Sequence, residues 1–426
     1  VSARGGGAGE AHAAWRARAN AAVAAVASTG SKRPAALYGP TDDERAPLHF
    51  VRASGCRVTT VGGETLIDLG SALGAVALGY ADPDVTRAVC EAAAAGHASL
   101  LTHASEVTLA ERLIELVPCA ERVLFLKSGA EAAAAAVRLA RAATGRDVVV
   151  GSGYFGWLDW WGGGLGVTAG AHADFVGVPF DDVPALEAAV QQAEGRLAAI
   201  VLEPVVERLP SATWLRAARR LCDRAGAVLV FDEIKTGCRL HTGGFQATAD
   251  AGDVLPDLAT FGKALANGYP LAAVVGRRAV MDAARRAWIS STLASEATAL
   301  AAAHAVLDRH AREAVCERLA LHGESLRALV DEAIGEAGAA DVHREGIAPM
   351  WFLRFGPADD PARAARREAR FLDGARAAGV LFKRGAYNYA MLAHDASVDD
   401  AVGAAARAGL AAVRALDEAP DRAGAR

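Results

Sequence analysis

The sequence predicts an α/β fold, with a large, mostly parallel sheet domain and a smaller α+β domain. Three observations carry this. Short apolar runs alternate with helical stretches from about residue 122 to residue 275, the pattern of βαβ units around a parallel sheet. Several of those runs are apolar throughout, as strands covered on both faces are. From about Ala294 onward the chain reads as mainly helical, interrupted by a strand at Met350–Phe355 and a short run at Val380–Lys383.

In chain order, residues 10–28 read as a helix, followed by an arm punctuated by Gly30, Pro34 and Pro40. The runs Cys56–Val61 and Thr65–Asp68 flank Gly62-Gly63 and suggest a hairpin. Helices near Pro83–Ala95 and Glu106–Val117 lead to a strand at Arg122–Leu126 and a helix at Ala130–Ala143. Strands at Asp147–Val150 and Phe175–Val178 precede a helix at Val183–Glu194. A strand at Ala198–Leu202 and a helix at Ala212–Ala225 come next, then strands at Ala227–Phe231, Asp257–Phe261 and Leu271–Val275. The division expected is an N-terminal helix and arm (1–60) joining the small domain, a large domain (61–308) and a C-terminal small domain (309–426). There are no internal repeats, and Ala419–Arg426 reads as frayed.

Composition narrows the function. The chain of 426 residues is 52% hydrophobic and 22% charged, as ordinary globular proteins are. Its net charge is only −5 and its Lys and Arg are scattered, so it lacks the basic stripe a nucleic-acid binder uses to displace counterions. Six widely spaced cysteines with no CxxC pair, and eleven histidines with no HExxH, argue against a disulfide framework and a metal site. No basic start with an apolar core opens the chain, and Ala21–Ala27 is too short to span a bilayer. A cytoplasmic protein with a small-molecule partner is the expectation.

Three segments carry chemistry. In Leu124-Phe125-Leu126-Lys127-Ser128-Gly129-Ala130-Glu131, a strand ends in a small-residue turn that opens a helix. Helix N-termini offer unpaired N–H groups and a positive dipole end to a phosphate. Ser128 and Glu131 equally spell a capping box, and the two readings are compatible. In Val228-Leu229-Val230-Phe231-Asp232-Glu233-Ile234, an apolar strand runs straight into two carboxylates. An acid there points into the crevice where open α/β sheets bind ligands, although an acid capping the next turn is common. In Thr260-Phe261-Gly262-Lys263-Ala264-Leu265, a lysine follows a strand among apolar neighbours, 31 residues after Asp232. A lysine so placed loses its proton readily and attacks a carbonyl, whereas a lone lysine is usually solvated.

The order of the three segments, phosphate turn, then Asp-x-Ile, then Gly-Lys, resembles the class III aminotransferases that depend on pyridoxal 5'-phosphate (PLP), in particular the glutamate-1-semialdehyde 2,1-aminomutase-like branch. The resemblance runs from about Arg52 to Asp308, with weaker similarity at Gly30–Gly39 and Leu392-Ala393-His394. It implies fold type I and a homodimer with composite active sites, acting on an amino donor and a carbonyl acceptor. By the same resemblance Lys263 holds the cofactor as a Schiff base, Asp232 pairs with its ring nitrogen and Ile234 packs on one ring face. Ser128, Gly129 and Ala130 match the phosphate loop, and Tyr154 the aromatic residue on the other face. Thr292, in Ser291-Thr292, matches the residue that reaches the phosphate of the neighbouring subunit's cofactor, and Glu203-Pro204 a turn near the substrate.

The chain departs from that pattern at Phe155, where relatives often have His, and at Ala130, where they often have Thr. It also has Leu293-Ala294-Ser295-Glu296 in place of the aminomutase's mobile Gly-rich segment. This favours transamination, with the aminomutase reaction as the alternative. Arg33 and Arg384 are candidates for a substrate carboxylate, with surface ion pairs the commoner role. Trp157, Trp160 and Trp161 suit either a bulky pocket or the core. A nicotinamide-dependent oxidoreductase is the reading from another class: Gly151-Ser152-Gly153-Tyr154-Phe155-Gly156 fits G-x-G-x-x-G, with Asp174 following 18 residues past Gly156. That fingerprint needs a helix opening at its third glycine, and Trp157-Leu158-Asp159-Trp160-Trp161-Gly162-Gly163-Gly164 has no helical period. A non-catalytic protein on the same fold is disfavoured by the presence of both Lys263 and Asp232.

Overall fold

The computed structural model describes residues 7–39, 43–193 and 195–418. Pro40 of the arm, Glu194 and the segment Ala419–Arg426 lie outside the described residues. The chain forms two compact units: Ala75–Ala77 with Pro83–Glu317, and Val1–Gly74 with Leu78–Asp82 and Arg318–Arg426.

The first of these is built on a seven-stranded sheet: β1 (Arg122–Leu126), β2 (Val148–Ser152), β3 (Phe175–Gly177), β4 (Leu197–Leu202), β5 (Val228–Asp232), β6 (Leu258–Phe261) and β7 (Ala272–Gly276). The order is β1-β7-β6-β5-β4-β2-β3. Only β7 runs antiparallel to its neighbours, β1 and β6; the other pairings are parallel. Each strand lies within a residue or two of its expected place. β2, β4, β5, β6 and β7 are buried along their whole length, which is why they read as unbroken apolar runs.

The helix Gly129–Thr144 presents Ala132, Ala136, Leu139 and Ala140 to Val149, Val201, Val230 and Val274 in a single core. Alanines on that face let the helix axis approach the sheet closely. Its N-terminus follows directly from β1 and is thereby placed at the end of the sheet where β5 also finishes. No helix opens at Gly156: residues 153–168 run without one, and the next helical element is a short 3₁₀ segment at Ala169–His172. The dinucleotide fingerprint is therefore unsupported.

The other unit holds two small sheets. One is ordered Phe50–Ser54, Arg57–Thr60, Thr65–Asp68, Val380–Leu381, with the last pair parallel. The second comprises Val342–Ile347, Met350–Phe355 and Asn388–Tyr389. The hairpin around Gly62-Gly63 is present; the strands Phe50–Ser54 and Val342–Ile347 are additions to the sequence expectation. Both are largely exposed or half-buried, so their apolar signal is weak. Helices Pro361–Ala377 and Asp399–Glu418 cross closely at Gly374 and Gly409, where an added methyl would lie 2.7 Å from Ala408 O and 2.6 Å from the Phe371 ring respectively.

Two helix boundaries differ from expectation. The N-terminal helix stops at Ala22 instead of Ser28. Residues 21–25 are exposed, and a helix gains most of its stability from an apolar face it can bury. The helix expected near Ala294 begins at Ala297, capped by Glu296.

Candidate active site

Of the residues singled out by sequence, Tyr154, Glu203, Asp232 and Lys263 stand at or just past the C-terminal ends of parallel strands, whereas Thr292, Arg33 and Arg384 do not. Asp232 closes β5 opposite Thr260 of β6, and Lys263 follows three residues later. Gly262 is nearly fully extended (φ −179°), whereas Lys263 has φ +46°. Left-handed backbone at a long side chain is strained and persists where the surrounding structure holds it. Its neighbours Phe261, Ala264 and Leu265 are buried. Burial, then the charge of Lys235, keep the Lys263 amine below the usual lysine range, against the pull of Glu203 and Asp232.

Asp232 is buried and accepts the Ile234 N–H at 3.0 Å through Oδ1. Burial first, and the Glu203 carboxylate second, push its carboxyl up to about 7, against the Ile234 amide and the Lys263 charge. A cationic ring nitrogen at this carboxyl would supply the counter-charge the site lacks. The neighbouring Glu233 is also buried, but its oxygens are occupied by the Thr236 hydroxyl and the Phe245 and Gln246 amides. It closes the following loop instead of facing a ligand.

The turn before Gly129 is a capping box: Ser128 Oγ accepts the Glu131 N–H at 3.3 Å, while Glu131 Oε2 accepts the Ser128 and Lys127 amides at 2.8 and 3.0 Å. The Gly129 and Ala130 amides remain first-turn donors with no intrahelical acceptor. A methyl on Gly129 would lie 3.1 Å from Ile234 Cγ2, and one on Gly262 would lie 3.0 Å from Ile234 Cδ1. Ile234 is thus wedged between the turn at 128–130 and the segment that carries Lys263. The residues present fit PLP: an anion cradle, an acid, an aliphatic wedge and an amine meet in one place.

Tyr154 is exposed, with its ring edge-on to Trp161 at 5.5 Å. Trp160 and Trp161 pack against the core around Phe155 and Phe175, so both belong to the core, while Trp157 is 79% exposed. Gly156 has φ +90°, and a methyl there would lie 2.4 Å from Ala130 Cβ. Gly156→Ala should therefore displace the turn at 128–130 and, if that turn holds the cofactor phosphate, weaken PLP binding about tenfold, since forced positive φ and overlap together cost at least ~1 kcal/mol. An unchanged Kd for PLP in equilibrium dialysis would contradict this.

Glu203 is buried with both oxygens engaged, Oε1 by Lys235 Nζ at 2.9 Å and Oε2 by the Tyr154 N–H at 2.8 Å. Sequence reasoning assigned no role to Lys235; lysine in a strand-end turn normally reads as solvated, so no local signal marks its burial. Thr292 is exposed in the turn at 292–295 and lines a cavity of about 310 Å³ with residues of the segment 96–104, Ser295 and Glu296. It does not cap the following helix, because Glu296 does, accepting the Thr298 and Ala299 amides at 2.8 and 3.0 Å. Arg33 is exposed at the start of the helix Pro34–Tyr38, and Arg384 pairs with Glu368 at 3.3 Å, both in the other unit.

A family model described as aminotransferase class-III matches residues 38–156 and 180–401. The chain is 36% identical over 339 residues to the 2'-deamino-2'-hydroxyneamine transaminase of Streptomyces kanamyceticus, covering 78% of this chain and 84% of that one. It is 33% identical over 413 residues to the glutamate-1-semialdehyde 2,1-aminomutase of Thermomicrobium roseum, covering 90% and 95%. Among solved structures, the PLP internal aldimine form of FumI from Sphingopyxis sp. MTA144 matches with a TM-score of 0.89 at 26% identity, over 96% of this chain and 98% of that one.

Proposed function

The chain belongs to the class-III aminotransferase family and is a PLP-dependent enzyme of fold type I, and on that footing we propose that Lys263, Asp232 and the 128–130 turn form its active site for transamination between an amino donor and a small carbonyl acceptor. The observation that carries the assignment is the wedge of Ile234 between Gly129 and Gly262, which brings anion cradle, acid and amine together. PLP, when bound, supplies an electron sink for the carbon that exchanges its amino group.

The residues have separable tasks. Ser128, Gly129 and Ala130 bind the phosphate through the helix N-terminus. Asp232 stays ionised against a cationic ring nitrogen and keeps the proton there. Ile234 and Tyr154 hold the two ring faces. Lys263 would hold PLP through its amine and would serve as general base for the substrate's proton. Trp157 is proposed to face the substrate, whereas Glu203, with both oxygens engaged by Lys235 and the Tyr154 N–H, is not offered as a substrate contact.

Transamination is favoured over the aminomutase reaction by the segment 292–296, which ends in the Lys127–Glu296 pair at 2.8 Å. Burial pushes the Glu296 carboxyl up, but hydrogen bonds from Lys127, Thr298 and two amides outweigh it and hold it near about 2. That anchor leaves little of the freedom a Gly-rich segment has. The test is the visible spectrum of the PLP-loaded protein before and after adding one amino donor. A transaminase converts one equivalent and stops until a carbonyl acceptor is added. Sustained conversion of a single substrate without acceptor would reverse the choice.

The active unit is proposed to be a homodimer, with Thr292 reaching the partner subunit's cofactor phosphate. Leu100, Leu101, Val107, Trp288 and Leu293 are exposed, apolar side chains that a partner subunit would cover. Mixing Lys263→Ala subunits with Thr292→Ala subunits should restore activity, because one pocket of the heterodimer then carries both lesions and the other carries neither. No recovery above the homodimers would contradict shared sites. All six cysteines are free and five are buried, as a reducing cytoplasm would keep them. No described helix is long and apolar enough to cross a membrane.

A further inference from the structure

The reaction proposed above gives no part to Lys235, yet the lysine is buried beside it. Its ammonium lies 2.9 Å from Glu203 Oε1. The second Glu203 oxygen takes the Tyr154 N–H at 2.8 Å. Gly153, at φ +131°, presses so close that an added methyl would lie 2.7 Å from Glu203 Cγ. The carboxylate is clasped from two sides, and the pair ties together the chain just beyond β2, β4 and β5.

Lys235, Glu203, Asp232 and Arg239 act on Lys263 through their charges, and Glu203, Lys235 and Lys263 all stand just past the ends of the neighbouring strands β4, β5 and β6. Lys235 pairs directly with the Glu203 carboxylate. Without Lys235 that carboxylate would lose its cation in a buried place, where charge is poorly screened.

We propose that Lys235 is a positioning residue of the active site, cancelling the Glu203 charge so that the Lys263 nitrogen sheds its proton at a lower pH. The proposal rests on Lys263 being the cofactor lysine. After burial, the Lys235 charge is the next cause keeping the Lys263 amine below the usual lysine range. The sign follows from charge alone. Removing Lys235 deletes a cation and frees an anion, and both changes favour the protonated nitrogen. Removing the Glu203 charge does the reverse.

The experiment titrates the visible absorbance of the PLP-loaded protein, which reports the proton on the nitrogen bonded to the cofactor. In Lys235→Met the midpoint should rise by about one pH unit or more. In Glu203→Gln it should fall, and the double variant should return near the parent value. Lys235→Arg should retain the parent midpoint. Where Lys235→Met alone does not fold, adding it to Glu203→Gln must still raise the midpoint. A purely structural lysine predicts no opposed shifts and no return in the double variant, and that result overturns the proposal. Borohydride reduction followed by peptide mapping separates the two levels. A label on another lysine means that the Lys263 assignment has failed; a label on Lys263 with unmoved midpoints means that only the role of Lys235 has.

Discussion

Lys263→Ala is expected to purify without covalently bound PLP and to lose at least ~10⁴-fold in turnover. The variant lacks both the amine that bonds the cofactor and the group that moves the proton, and proton transfer by a positioned side chain alone contributes about 10²–10⁴-fold. Folding should survive, because the left-handed residue costs an alanine no more than it costs the lysine (φ +46°). Borohydride reduction followed by peptide mapping is the direct check. A reduced adduct at another lysine would show that the amine has been assigned wrongly.

Asp232→Asn is expected to lower turnover on the order of 10²–10⁴-fold, the scale of a positioned proton-holding group, while making the cofactor-free protein more stable. The two effects share one cause. With its carboxyl pushed up to about 7 by burial and then by Glu203, Asp232 stays protonated in the fold while an unfolded chain has already ionised. Between the ordinary carboxylate range and about pH 7 the unfolded state therefore binds fewer protons, and stability falls as pH rises. At about 1.4 kcal/mol per tenfold in proton affinity, the parent fold loses roughly 2–3 kcal/mol more at about pH 8 than at about pH 5. Asn does not ionise, so the gain in Tm of the cofactor-free variant should be larger at the higher pH. Adding PLP should reverse the ranking, since only the carboxylate meets a cationic ring nitrogen. An equal Tm difference at both pH values would mean that Asp232 is ionised without the cofactor.

The candidate residues on strand ends were legible because a buried strand must be apolar, so a carboxylate or lysine directly after one stands out. Asp232 and Lys263 are of this kind. Ser128-Gly129-Ala130 was legible as a helix opening, and the structure shows cap and open amides together. The Glu203–Lys235 pair was not legible. The two residues lie on different strand ends, 32 positions apart, and only the parallel pairing of β4 with β5 makes them neighbours. The same holds for the ion pair of Glu296 with Lys127, which joins positions 169 apart.

The sequence by itself determined where nearly every strand of the large sheet begins and ends, that the sheet is mostly parallel, and which acid and which lysine stand at its rim. These follow from short-range causes: burial on both faces, turn chemistry and helix opening act within a few residues of the chain. The tertiary structure alone decided the strand order β1-β7-β6-β5-β4-β2-β3, the reversed direction of β7, the left-handed backbone at Lys263 and the early end of the N-terminal helix. Each of those depends on what a segment packs against, and packing joins residues whose separation along the chain carries no periodic signal.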